Sequence, residues 1–98
     1  MIDPEGTAER VWVVDTGPLI FLSKLGRLGL LEGAADRICV AQAVMDEIQM
    51  KPDEAARAVA LACQFWLSVR QVSNRQAVEM LLADLGVGEA ETIVLARD

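Results

Sequence analysis

Asp15 stands where the apolar run Val11-Trp12-Val13-Val14 gives way to Thr16-Gly17-Pro18, and three acidic pairs follow it: Asp46 with Glu47, Asp53 with Glu54, and Glu89 with Glu91. Carboxylates brought to one place repel each other unless a cation neutralises them, so convergence of these groups would make a metal site. The chain contains no histidine. That removes the imidazole ligands typical of catalytic zinc and the usual general base, leaving oxygen ligands suited to Mg²⁺, Mn²⁺ or Ca²⁺. The acids lie far apart along the chain, and only the fold can gather them.

The elements that would do so are readable from pattern. Val11 to Val14 is β-branched, aromatic and without alternation, as expected for a strand of a parallel sheet buried on both faces. Gly17 followed by Pro18 fits a helix cap and first helical position, so the chain turns into a short helix over Pro18 to Lys24. Ligands of open α/β sheets bind beyond the carboxyl ends of the strands, which is where Asp15 falls. Leu28 to Leu31 reads as an apolar turn, Ile38-Cys39-Val40 as a second strand, and Gln42 to Gln49 as a helix with Val44, Met45 and Ile48 on one face. Pro52 stops it, and Asp53 caps a helix over Glu54 to Gln64. Phe65 to Val72 has strand character. Ser73 with Gln76 makes a capping box for a helix to Leu85. Gly86-Val87-Gly88 interrupts the pattern before a last helix, Glu89 to Arg97. Alternating strands and helices predict an α/β fold with a short parallel sheet and right-handed crossovers.

Some acids have simpler uses. Asp46 and Glu47 equally suit the wet face of an amphipathic helix, Glu89 and Glu91 favour a helix dipole from its first turn, and Asp53 and Glu54 are helix-start residues. Lys24, Arg27 and Arg37 read as solvated cations near helix ends, and Trp12, Phe21, Phe65 and Trp66 as core. Cys39 and Cys63 read as small buried thiols in a reducing compartment.

The chain is 98 residues long, 53% hydrophobic and 24% charged, with a net charge of −6. These values describe one compact domain and exclude a broad basic footprint for duplex nucleic acid. A carboxylate site awaiting cations remains compatible with them. No apolar run reaches the roughly 20 residues of a membrane span, and the first ten residues lack the pattern of a secretory signal, so the expected location is cytoplasmic.

Three stretches resemble the PIN-domain family of metal-dependent ribonucleases, especially small prokaryotic members related to toxins of toxin–antitoxin pairs. They are Val13-Val14-Asp15-Thr16-Gly17-Pro18-Leu19-Ile20-Phe21-Leu22-Ser23-Lys24-Leu25, then Ile38-Cys39-Val40 leading to Val44-Met45-Asp46-Glu47-Ile48, and last Leu85-Gly86-Val87-Gly88-Glu89-Ala90-Glu91-Thr92-Ile93-Val94-Leu95-Ala96. The resemblance implies a PIN-like three-layer fold. It implies Asp15, Glu47 and Glu89 as the catalytic, metal-holding acids, Glu91 as the fallback for the third, and Thr16 as support for the first carboxylate or a metal-bound water. The implied activity is Mg²⁺- or Mn²⁺-dependent hydrolysis of RNA, with an antitoxin protein as partner. Family members continue into a fourth strand bearing another acid, and commonly a fifth, whereas this sequence ends at Asp98, within the helical pattern. The expectation is therefore a single domain over residues 1–98, incomplete at its C-terminus, with Val11 to Val14 as a bare edge covered by a homodimer or an exchanged segment. The rival expectation is a catalytically incomplete remnant that serves as an interaction module. A small acidic regulator would need a DNA-binding motif or a disordered tail, and neither is visible.

Overall fold

The computed structural model describes residues 9–97. Asp98 and most of the first ten residues, on which two expectations fall, lie outside them. Three strands, β1 (Val11–Val13), β2 (Arg37–Ala41) and β3 (Leu67–Arg70), form a parallel sheet in the order β1-β2-β3. In register, Trp12 sits opposite Ile38, and Ile38 opposite Leu67. Around the sheet lie α1 (Thr16–Lys24), α2 (Gln42–Gln49), α3 (Glu54–Ala62), α4 (Arg75–Leu81) and α5 (Val87–Arg97), with a 3₁₀ turn at Leu28–Leu31. No helix among the described residues is long and apolar enough to cross a membrane.

The central strand shows why the fold has three layers. Ile38, Cys39, Val40 and Ala41 are all buried, and successive side chains of a strand point to opposite faces, so both faces of β2 are covered. Val44, Met45 and Ile48 turn the apolar side of α2 into the same core, joined by Leu19 from α1, Val59 from α3, Val78 from α4, and Ala90, Val94 and Leu95 from α5.

Four expectations change. β1 is at the sheet's edge, as the resemblance implied, but it is not covered on both faces as its apolar run suggested: Val11 and Trp12 are each 46% exposed, and full burial begins at Val14. Phe65 and Trp66 belong to the turn after α3, so β3 starts at Leu67, and Phe65 and Phe21 are exposed instead of core. α4 is capped by Asn74, whose side chain accepts from the Ala77 amide at 3.1 Å, because the chain is still turning at Ser73. Gly86-Val87-Gly88 does not stop a helix; Val87 starts α5, and Gly88 lies within it against α2.

Candidate active site

Parallel strands deliver their carboxyl ends to one rim, and the residues that follow β1 and β2 meet there. Asp15 is the cap of α1: its backbone is extended, and its Oδ1 accepts from the Thr16 amide at 2.7 Å. The expected cap, Gly17, sits one residue inside the helix. Thr16 looks both ways. Its amide serves Asp15, while its hydroxyl donates to Glu47 Oε2 at 2.7 Å, across 31 residues of sequence. Glu47 is exposed on the flank of α2, one turn on from Val44 of the stripe that packs into the core. Asp46 beside it accepts from the Gln42 side chain at 2.9 Å, one helical turn earlier.

The third contribution comes from α5, which approaches α2 closely. A Cβ at Gly88 would lie 3.3 Å from Val44 Cγ2 and 3.6 Å from Glu47 Oε2. The absence of a side chain therefore lets α5 reach the second acid. One cavity of about 670 Å³ results, lined by Asp15, Thr16, Asp46, Glu47, Glu89 and Glu91, among others, with no lysine or arginine in its walls. The sequence-predicted site residues thus share one concave surface at the carboxyl end of the sheet. Among the described residues, no three Asp, Glu or Cys side chains are grouped closely enough to enclose a metal ion.

Glu89 and Glu91 differ in their surroundings. Glu89 is exposed in the first turn of α5, whereas Glu91 is 6% exposed. Burying a carboxylate is tolerable only when its oxygens are matched by donors. Glu91 Oε1 accepts from the Ala43 amide at 3.0 Å, and Oε2 accepts from Arg75 Nη1 at 2.6 Å. Helix α2 has no capping side chain of its own, since Ala41 occupies the cap position. A carboxylate from α5 takes up one of its orphan amides, 48 residues away in sequence, where the dipole also favours negative charge. Arg75 is the residue that sequence reading missed. Its partner is 16 residues away on another helix, and no local spacing signals such a pair.

The strand order, the crossover helices and the acids at the carboxyl rim define an α/β domain with a carboxylate-lined site. A family model described as a PIN domain matches residues 11–98, and the chain belongs to that family. No curated protein and no solved structure gives a significant match.

Proposed function

We propose that this chain is a PIN-type ribonuclease that hydrolyses RNA phosphodiester bonds with Mg²⁺ or Mn²⁺. The observation that carries the reading is the shared cavity: acids from three separate parts of the chain line it, two of them joined through Thr16. The donor set is all oxygen, which suits a hard divalent cation, and Mg²⁺ retains several waters and so needs few protein ligands. Asp15, Glu47 and Glu89 line the cavity without closing around an ion, and they are the residues that would hold it together with its waters, since Glu91 is already engaged by Ala43 and Arg75. The chemistry that such a cation supplies is polarisation of a phosphate oxygen and a lowered pKa of bound water. The protein's own residues orient the site: Thr16 fixes the direction of two carboxylates, and the cap bond holds Asp15 at the mouth of α1.

The family resemblance further suggests a toxin-like role, with a protein antitoxin as partner and the cytoplasm as the compartment. We also propose a single PIN-like domain that associates with a second copy, by edge pairing or segment exchange, through the open side of β1.

Titration of Mn²⁺ into the wild-type chain and Asp15→Asn, with RNA cleavage followed for both, tests the main reading. Binding and cleavage by wild type, both lost in the variant, are expected. Binding without cleavage would assign an incomplete site. No binding by either chain would overturn the nuclease reading in favour of an interaction module.

A further inference from the structure

We propose that Arg75 binds a backbone phosphate of the RNA, and that Glu91 is the residue that aims it. This inference rests on the nuclease reading of the neighbouring cavity. The two partners of the ion pair are unequal: the Glu91 side chain is 7% exposed and that of Arg75 is 54% exposed. The carboxylate is thus committed to the interior, while half of the arginine side chain remains in contact with solvent. A guanidinium carries five N–H donors in a rigid fork, and a bond through one of them anchors the group while leaving the others for a second acceptor. Among the described residues, the bond to Glu91 runs through Nη1 alone. The far side of Glu91 is held by the Ala43 amide, so the acid that aims the arginine is itself immobile.

Arg75 lines a polar notch of about 270 Å³ together with Gln42, Gln71, Val72 and Glu91. Gln42 and Glu91 also line the acidic cavity, so the notch and the cavity share a wall. That adjacency matters electrostatically. The chain carries a net charge of −6, and no cationic side chain lines the cavity itself. A polyanion that presents one phosphate to the acidic site must lay a neighbouring phosphate nearby, and binding strength for nucleic acid comes largely from such phosphate contacts. Arg75 is the cation beside that path, and its planar fork suits a phosphate.

The test uses binding of labelled single-stranded RNA, with Ca²⁺ present as an oxygen-seeking cation, across a range of salt. It compares wild type, Arg75→Lys and the double variant R75M/E91Q. The double variant removes the buried charge along with its partner, so no unpaired carboxylate is left to unfold the chain. It should bind RNA about tenfold more weakly and flatten the dependence of log affinity on log salt by about 0.7, the value for one phosphate of a single strand. Arg75→Lys, keeping the charge but not the fork, should retain the salt dependence and lose part of the affinity. Mn²⁺ affinity should be unchanged in Arg75→Lys.

Wild-type RNA affinity and salt dependence in the double variant would overturn the proposal. So would absence of RNA binding by the wild-type chain. A loss of Mn²⁺ affinity in Glu91→Gln as large as that in Asp15→Asn would assign Glu91 to the cation and overturn its aiming role. Arg75-dependent RNA binding in a chain that binds no Mn²⁺ would uphold the phosphate site while removing the nuclease reading, so the two failures are distinct.

Discussion

Thr16 Oγ1 donates to Glu47 Oε2 at 2.7 Å, tying the first turn of α1 to the flank of α2. The bond is exposed, so its net contribution to stability is about 1 kcal/mol at most. Its effect on the site is larger, because it fixes the rotamer of one acid relative to the helix that the other acid caps. Thr16→Val, nearly the same shape, should lower stability by less than about 1 kcal/mol and weaken Mn²⁺ binding. Thermal denaturation and metal titration on the same sample separate the two effects.

Asp15 has one observed use, as a cap, and one proposed use, as a cation ligand, and substitution can divide them. As a cap, it is replaceable by Asn, which accepts the same amide bond about as well, whereas Ala gives up about 1 kcal/mol. For the proposed cation ligand, neither replacement keeps the charge. Asp15→Asn should therefore retain stability and lose Mn²⁺ binding, and Asp15→Ala should lose both. Equal destabilisation by Asn and Ala in chemical denaturation would remove the capping role.

Two glycines should respond in opposite directions to the same change. At Gly17, in the first turn of α1, a new Cβ would meet no heavy atom within 4 Å. Gly17→Ala should stabilise by up to about 1 kcal/mol, through helix propensity and a less flexible unfolded chain. At Gly88 the propensity gain is similar, but Val44 is fully buried and cannot retreat from a Cβ at 3.3 Å. Gly88→Ala should be destabilising, and a branched side chain there should cost about 1 to 3 kcal/mol. Denaturant midpoints for the pair give the comparison.

These glycines show what was legible in the sequence and what was not. The strand-to-helix turn at Asp15 could be read because a β-branched run ends abruptly in Gly17-Pro18, and Asp53 was readable as a cap because Pro52 precedes it. Gly88 was not, since a glycine that breaks a helix and a glycine that admits a neighbouring helix look alike along one chain. The exposure of Phe21 depended on which face of α1 met the core, α1 being apolar nearly all round, and that of Phe65 on where the turn after α3 ends and β3 begins. The Arg75 to Glu91 pair required the packing of α4 against α5, and that is a tertiary fact.

The open side of β1 gives a prediction about association. Arg10 offers its carbonyl to Arg37, and the Val14 amide donates to Cys39, so the even-numbered residues bond inward to β2. By alternation, Val11 and Val13 turn their amides toward the open edge. Val11→Pro removes an outward donor at the first residue of the strand, where proline is tolerated, and leaves the ladder to β2 intact. The wild-type chain should sediment as a dimer and the variant as a monomer.

Burial pushes the Cys63 thiol above its ordinary pKa, and its sulfur lies 4.0 Å from that of Met45. A folded-state pKa above the unfolded one leaves stability undiminished below the unfolded value and lowers it as pH rises from there through the folded value. Stability should therefore decline in the alkaline range, and Cys63→Ala should remove that part of the decline. Denaturation of both chains from neutral to alkaline pH measures the difference.

The approach of α5 to α2 at Gly88 also fixes when the site comes into being. Ribosomes deliver Asp15 early, Glu47 midway and Glu89 last, and the cavity closes only as Gly88 docks against Val44. A chain still in synthesis carries the acids as separate groups. The same requirement means that displacing α5 from α2 would take the cavity apart without altering a single carboxylate.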